Sequence, residues 1–125
     1  MKTKFELEYE LKTSPKVLYN RLSTPSGLSE WFADDVNVRG EVYSFYWEGS
    51  EQKAQLLSKK DKKQIRFKWE EDEEEEYFFE FLLNVDEITG DVALVITDFA
   101  EEDEKDDVVD LWDTQIGELK RLLGI

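Results

Sequence analysis

The segment Glu101–Leu123, with the sequence EEDEKDDVVDLWDTQIGELKRLL, decides the fold of this chain. Its apolar residues recur with the spacing of an α-helix, about 100° per residue, and the central line of the apolar side is formed by Val108, Trp112, Ile116, Leu119 and Leu123. Val109, Leu111 and Leu122 widen that line to an arc of roughly 160°. The part of the chain before it, about seventy residues, has the two-residue period of β-strands. An apolar helix at the end of such a run is expected to cover a sheet.

Both ends of the segment carry residues that are typical of helix termini. The first turn is acidic, Lys120 and Arg121 lie in the last turn, and Gly124 follows at the usual stop position. Gln115 is a polar exception, because it lies near the middle of the apolar arc. A buried amide without a partner costs about 1–3 kcal/mol. We therefore expect Gln115 to bond either a carbonyl or hydroxyl group of a ligand, or the sheet backbone or a tyrosine hydroxyl.

Two short helices are predicted near the N-terminus. Ser14 can cap the first helix with Pro15 at its first position, and the same pattern of a capping residue followed by proline recurs at Thr24-Pro25. The inward-facing residues are Val17, Leu18 and Leu22 in the first helix, and Leu28, Trp31 and Phe32 in the second.

The rest of the chain has strand character. The predicted strands are Phe5–Leu11, Val36–Val38, Glu41–Trp47, Gln52–Ser58, Gln64–Glu70, Tyr77–Val85 and Asp91–Phe99. Short turns, among them Asp72–Glu75, separate the later strands, so neighbouring strands should be antiparallel. The order of elements predicts an α+β fold in which a curved antiparallel sheet of about seven strands grips the long C-terminal helix.

The composition limits the classes of function. With 125 residues, 40% of them hydrophobic and 14% aromatic, the chain fits one domain over residues 1–125. Cys and His are absent, which excludes disulfides, thiolate nucleophiles, a Ser-His-Asp triad and most transition-metal sites. The net charge of −15 disfavours nucleic acid and anionic membranes as partners. Because there is no signal-peptide pattern and no apolar run of membrane-spanning length, we expect a cytoplasmic protein.

Several short motifs occur in a fixed order along the chain. They are Ser14–Tyr19 (SPKVLY), Leu22–Leu28 (LSTPSGL), the pair Trp31-Phe32, Gly40 with Val42 and Phe45, Ala93–Asp98 (ALVITD), and Trp112. In this order they resemble the START-like (SRPBCC) helix-grip superfamily, which includes the birch pollen allergen. The branch that the chain resembles most is that of the activators of the ninety-kilodalton heat-shock chaperone's ATPase.

The resemblance implies a cavity between the sheet and the C-terminal helix. Members bind lipids, hormones or polyketides, act as cyclases, or bind chaperones. We expect non-catalytic binding of an apolar or amphipathic, lipid-like small molecule, with no cofactor and no metal. The alternatives are a protein-interaction module with a filled core, chaperone-linked or self-associating, and a small cyclase-like enzyme, although no catalytic pattern of that kind is found.

Aromatic residues on one face of the predicted strands are the candidates for a pocket. Together with residues of the helices they form the predicted ligand-binding set, which is Trp31, Phe45, Trp47, Phe67, Trp69, Phe79, Phe81, Trp112 and Gln115. The alternative is that the rings fill the core at normal density, because aromatic residues dominate cores in any case.

Three further features have a functional and a structural interpretation. Phe78 and Leu82 are predicted on the strand face away from the helix. They form either a surface for a homodimer or another protein partner, or simply scattered exposed apolar residues. The acidic runs Asp72–Glu76 and Asp103–Asp107 lack EF-hand spacing, so we expect a solvated turn and a charged helix start rather than loose calcium sites. Asp98 is the best candidate for carboxylate chemistry, although we expect this strand end to face solvent.

Overall fold

In the computed structural model, which describes residues 1–72 and 76–125, strands and helices follow one another in the predicted order. The elements are β1 (Thr3–Leu11), α1 (Pro15–Ser23), α2 (Pro25–Leu28), β2 (Asp35–Arg39), β3 (Val42–Trp47), β4 (Ser50–Lys60), β5 (Gln64–Trp69), β6 (Phe79–Val85), β7 (Val92–Ala100) and α3 (Lys105–Leu123). Most of the predicted turn Asp72–Glu75 lies outside the described residues. The α+β helix-grip class is confirmed.

The seven strands form one antiparallel sheet in the order β1-β7-β6-β5-β4-β3-β2. Strands β2 to β7 are joined by short connections, so each pairs with the next along the chain. β1 instead pairs with β7, which leaves α1 and α2 to connect the two edges of the sheet. The register between β1 and β7 places Phe5 opposite Asp98 and Tyr9 opposite Leu94.

The two short helices begin as their sequences predict. The Ser14 hydroxyl accepts a hydrogen bond from the Val17 amide at 3.1 Å, and the Thr24 hydroxyl accepts one from the Gly27 amide at 2.9 Å. A side chain at position 27 would meet the Asn20 carbonyl oxygen at 2.3 Å, so glycine allows α2 to pack closely on α1. Val17 is exposed rather than inward-facing, because it lies on the solvent side of the first turn.

The C-terminal helix is shorter and less widely buried than its sequence predicts. It begins at Lys105, so the acidic run Glu101–Glu104 precedes the helix, while Asp106 and Asp107 lie in its first turn as predicted. Its buried residues are Trp112, Ile116 and Leu119. Leu111 is 59% exposed and Leu122 is 37% exposed, so the predicted arc of roughly 160° is too wide. Leu111 is exposed because it lies on a side of the helix that the described strands and helices leave open.

The end of α3 follows the predicted pattern. Gly124 has a φ of 76°, and the Ile125 amide donates to the Lys120 carbonyl at 3.0 Å. The Gly124 amide also donates to Arg121 at 3.2 Å, which completes a Schellman cap.

The core lies between the inner face of the sheet and the three helices. Phe45, Phe67, Phe79 and Phe81 are each at most 1% exposed, and their rings pack against one another. This inner face therefore contains a dense aromatic layer. Among the described residues, no helix combines the length and the apolar character that a bilayer crossing requires.

Candidate functional site

A cleft of about 580 Å³ opens between the first half of α3 and the β3–β4 end of the sheet. It has aromatic and aliphatic walls with a few polar groups. Its lining residues are Phe32, Asp34, Trp47, Glu48, Ser50, Gln52, Trp69, Asp98, Val108, Leu111, Trp112 and Gln115. Its size and its mixed lining are those of a small-molecule site.

Phe32 is at the centre of the cleft's aromatic wall. Its ring is stacked on Trp112, with centroids 5.8 Å apart and planes at 23°, and meets Trp47 edge-on at 5.5 Å. On its other sides it contacts Phe45 and Phe81 of the core. The aromatic core and the cleft are therefore continuous, with Phe32 between them.

The cleft contains four of the nine predicted ligand-binding residues: Trp47, Trp69, Trp112 and Gln115. The other five lie in the core behind the cleft, and they are Trp31, Phe45, Phe67, Phe79 and Phe81. Trp31, whose indole N–H donates to the Arg21 carbonyl of α1 at 2.8 Å, borders a neighbouring pocket rather than the cleft itself. A binding role for the four cleft residues stays a prediction.

Sequence reasoning missed seven residues that line the cleft: Phe32, Asp34, Glu48, Ser50, Gln52, Val108 and Leu111. The signal for Phe32 was present, because it was predicted to face inward next to Trp31. Asp34 and Glu48 gave no signal, since acidic residues are common in the turns of this chain.

Gln115 has the hydrogen-bond partner that its position requires. Its Nε2 donates to the carbonyl oxygen of Phe32 at 3.0 Å, and the same oxygen accepts the indole N–H of Trp47 at 2.9 Å. The partner is thus a backbone carbonyl after α2 rather than the sheet or a tyrosine. This shared acceptor fixes the Trp47 ring and ties α3 to the floor of the cleft.

Asp98 lies inside the cleft, which corrects the expectation of a solvent-facing strand end. It follows Leu94 and Ile96 on the inner face of β7, opposite Phe5. Its Oδ2 accepts the indole N–H of Trp112 at 2.9 Å, and its Oδ1 accepts the Phe99 amide at 2.8 Å. Burial raises the pKa of Asp98 above its ordinary value, and the two hydrogen bonds oppose this rise only in part.

The mouth of the cleft is formed by the two-residue turn Glu48-Gly49 between β3 and β4. Both residues have positive φ, 41° for Glu48 and 85° for Gly49, as type I′ turns require. Glutamate is unusual in this conformation. The Asp34 Oδ2 accepts the Glu48 amide at 2.9 Å, which holds the turn against the loop after α2.

The outer face of the sheet carries the predicted partner residues Phe78 and Leu82, both half-buried. The Arg66 guanidinium lies 4.1 Å from the centroid of the Phe78 ring, which also contacts Phe99 at 5.1 Å. Arg66 is paired in turn with Glu80 on the same face. Phe78 is therefore partly covered within the chain itself.

The acidic runs give no arrangement for a metal ion in the part of the chain that is described. Among the described residues, no three or more acidic side chains are arranged so that they could hold a metal ion. Residues 73–75 of the run Asp72–Glu76 lie outside the described residues. Asp72 itself pairs with the Lys2 ammonium at 2.8 Å.

A curved antiparallel sheet that holds a long C-terminal helix beside an apolar cleft defines a helix-grip protein. The chain belongs to the START-like superfamily, because the family model described as START-like superfamily domain matches residues 1–125. Comparison with curated proteins gives no significant match.

Similar solved structures agree with this assignment. The chain is 41% identical to BfR322 from Bacteroides fragilis, over 99% of this chain and 93% of that one, with a TM-score of 0.71. It is 19% identical to the Aha1 dimer from Colwellia psychrerythraea, over 94% and 93%, with a TM-score of 0.80. For CalU16 from Micromonospora echinospora the identity is 12%, the coverage 98% and 74%, and the TM-score 0.77. The last two similarities show the fold alone.

Proposed function

We propose that this protein binds an apolar or amphipathic small molecule, without catalysis, in the cleft between α3 and the β3–β4 end of the sheet. The observation that carries the proposal is the cleft itself: about 580 Å³ of space bordered by three indoles. Sites for small molecules typically have volumes of about 300–1,000 Å³ and mostly apolar walls with a few polar groups.

The cleft walls are held in place before any ligand arrives. Trp47 is fixed through the Phe32 carbonyl, and Trp112 is fixed through Asp98. Trp69 is stacked on Phe79 with centroids 4.8 Å apart. Rings that are already oriented lose little conformational entropy on binding, which favours affinity.

The chemistry of the cleft favours binding over catalysis. The chain contains neither His nor Cys, so the groups that most often act as base or nucleophile near neutral pH are absent. Both oxygens of Asp98 accept hydrogen bonds from the protein, which suits a structural and electrostatic role.

Displacement of a neutral fluorescent dye tests the proposal. Nile red should bind with enhanced emission, and a neutral alkyl maltoside below its micellar concentration should displace it. Leu111→Ser should weaken binding by several-fold, because Leu111 forms the exposed apolar edge of the cleft. Leu57→Ser is the matched control, since Leu57 is also exposed but lies on β4 away from the cleft. Absence of dye binding, or equal loss in both variants, would contradict the proposal.

Self-association through the outer face of the sheet is a second proposal. It is supported by the half-buried apolar pair Phe78 and Leu82, and by the dimer described for the Aha1 structure, whose fold is similar. Sedimentation equilibrium tests it: a dimer that Leu82→Lys converts to a monomer supports it, and a monomer at high micromolar concentration contradicts it.

A further inference from the structure

We infer that the cleft selects ligands whose polar end is an organic cation, such as an ammonium group, attached to an apolar body. This inference rests on the proposed function, because it specifies the class of molecule that the same cleft would take. It is based on the aromatic walls of the cleft together with the sign of the charges around them.

The charged residues that line the cleft are all acidic. They are Asp34, Glu48 and Asp98, and no Lys or Arg is among the described lining residues. Lys2, the cation whose charge acts on Asp98, is engaged by Asp72 at 2.8 Å. The field inside the cleft is therefore negative, as is that of the whole chain with its net charge of −15.

Two indoles form a corner that suits a cation. Trp47 and Trp69 are both half-buried, with centroids 6.2 Å apart and planes inclined at 57°. Their remaining surface lines the cleft. The faces of indole rings attract ammonium groups, and quaternary ammonium ligands are bound in this way by aromatic residues set at an angle.

The carboxylates stand next to this corner. Glu48 directly follows Trp47, and its amide is bonded to Asp34, so both acidic residues belong to the rim beside the Trp47 ring. Val108 and Leu111 supply an aliphatic wall on α3 for the apolar body of the ligand. The cleft thus offers separate places for the two parts of a cationic amphiphile.

Other charged ligands fit less well. A fatty acid or a phosphate ester would bring an anion into a cleft that contains three carboxylates and no basic side chain among its described residues. A metal ion would need several carboxylates close enough to bind it at once, and the described residues contain no such arrangement.

Three amphiphiles with the same dodecyl tail test the inference: the trimethylammonium, the maltoside and the sulfate, each below its micellar concentration. Displacement of Nile red measures their affinities. The cation should bind about tenfold more tightly than the neutral maltoside, and the sulfate more weakly than either. Added salt should reduce the advantage of the cation.

A charge-matched pair of double variants separates the cleft from the general field of the protein. Asp34→Asn with Glu48→Gln removes two rim carboxylates, and we expect it to remove most of the cation's advantage. Glu10→Gln with Glu87→Gln changes the net charge equally at exposed positions outside the cleft and should retain it. All four sites are exposed, so each variant is expected to fold, and circular dichroism verifies this.

The outcomes are distinguishable. A cation preference that only the rim variant loses supports the inference. Equal affinity for cation and maltoside, or equal loss in both double variants, overturns it and leaves the proposed function standing. Failure of every amphiphile and of the dye to bind overturns both.

Discussion

The two halves of α3 face the same sheet but differ in how closely they pack against it. In the second half, Ile116 and Leu119 are 1% and 0% exposed, so packing alone closes the interface. In the first half, Leu111 is 59% exposed beside the cleft. The helix thus seals the core at one end and leaves the indoles of the cleft accessible at the other.

Hydrogen bonds hold the helix where apolar packing is thin. Trp112 donates to Asp98, Gln115 donates to the Phe32 carbonyl, and the Tyr9 hydroxyl donates to Asp113 at 2.6 Å. All three connect the stretch of α3 from Trp112 to Gln115, at the end of its first half and the middle of the helix, to the rest of the fold. The open half is therefore positioned by directional polar contacts, which can keep a cleft open in a way that side-chain packing cannot.

Truncation of a buried side chain in the second half of α3 should have the largest effect on stability. Leu119→Ala should lower the free energy of unfolding by about 3 kcal/mol, because it leaves a cavity in a fully buried site. Leu111→Ala in the open half should change it by less than about 0.5 kcal/mol. Urea unfolding of both variants measures the difference, and similar losses would show that the two halves are equally packed.

Loss of the indole donor in the open half should come next. Trp112→Phe keeps an aromatic ring but leaves Oδ2 of Asp98 without its partner, at a cost of about 1–3 kcal/mol. The same substitution in an Asp98→Ala background, which has no acceptor for the indole, provides a double-mutant cycle. A coupling energy near zero would mean that packing, rather than this hydrogen bond, positions the first half of α3.

The pH dependence of stability isolates Asp98 itself, with a smaller expected effect because Lys2 and two hydrogen bonds partly compensate its charge. Burial raises the pKa of Asp98 in the folded state above its ordinary value of 3.8. Its contribution to stability is therefore complete below that value and is lost as pH rises through the raised pKa. Asp98→Asn, which does not titrate, should gain stability relative to the parent between about pH 4 and neutrality. A difference that stays constant across urea unfolding at this series of pH values would contradict the shift.

Most of the fold is local in origin and was predicted from local patterns. The two-residue period located all seven strands, and the Ser14 and Thr24 caps began their helices as predicted. The start of α3 was placed four residues too early, because the acidic run from Glu101 has helix-compatible charge but no face that anchors it to the sheet. Periodicity also could not show that Leu111 lies at the open edge of a cleft.

The site depends on contacts between distant parts of the chain, and these were only partly predictable. The alternation of β7 indicated that Asp98 points inward with Leu94 and Ile96, yet the group that makes its burial tolerable is Trp112, on another element. In the same way, the Phe32 carbonyl accepts hydrogen bonds from Gln115 and Trp47, which lie on two other elements. A single sequence carries no signal for such shared partners.

Replacing Gln115 tests whether the amide is a structural tie. Gln115→Leu should lower the free energy of unfolding by about 1 kcal/mol, since the Phe32 carbonyl retains the Trp47 donor and is not left bare. Thermal unfolding measures the change, with Gln52→Leu as the control on the opposite side of the cleft. Unchanged stability with weaker dye binding would instead make Gln115 a contact for the ligand.

The smallest effect should come from the β3–β4 turn at the rim of the cleft, where Glu48 has a positive φ. Asparagine adopts positive φ more readily than glutamate, so Glu48→Asn should raise the stability by about 0.5 kcal/mol. Lys62, with a φ of 61° in the β4–β5 turn far along the sheet, gives the matched control Lys62→Asn. Both variants should gain stability, because both relieve a positive φ. If the Glu48 carboxylate contributes to cation binding, only Glu48→Asn should also lose affinity for dodecyltrimethylammonium. Equal affinities in the two variants would show that the cleft does not use this carboxylate, and that the two turns differ only in position.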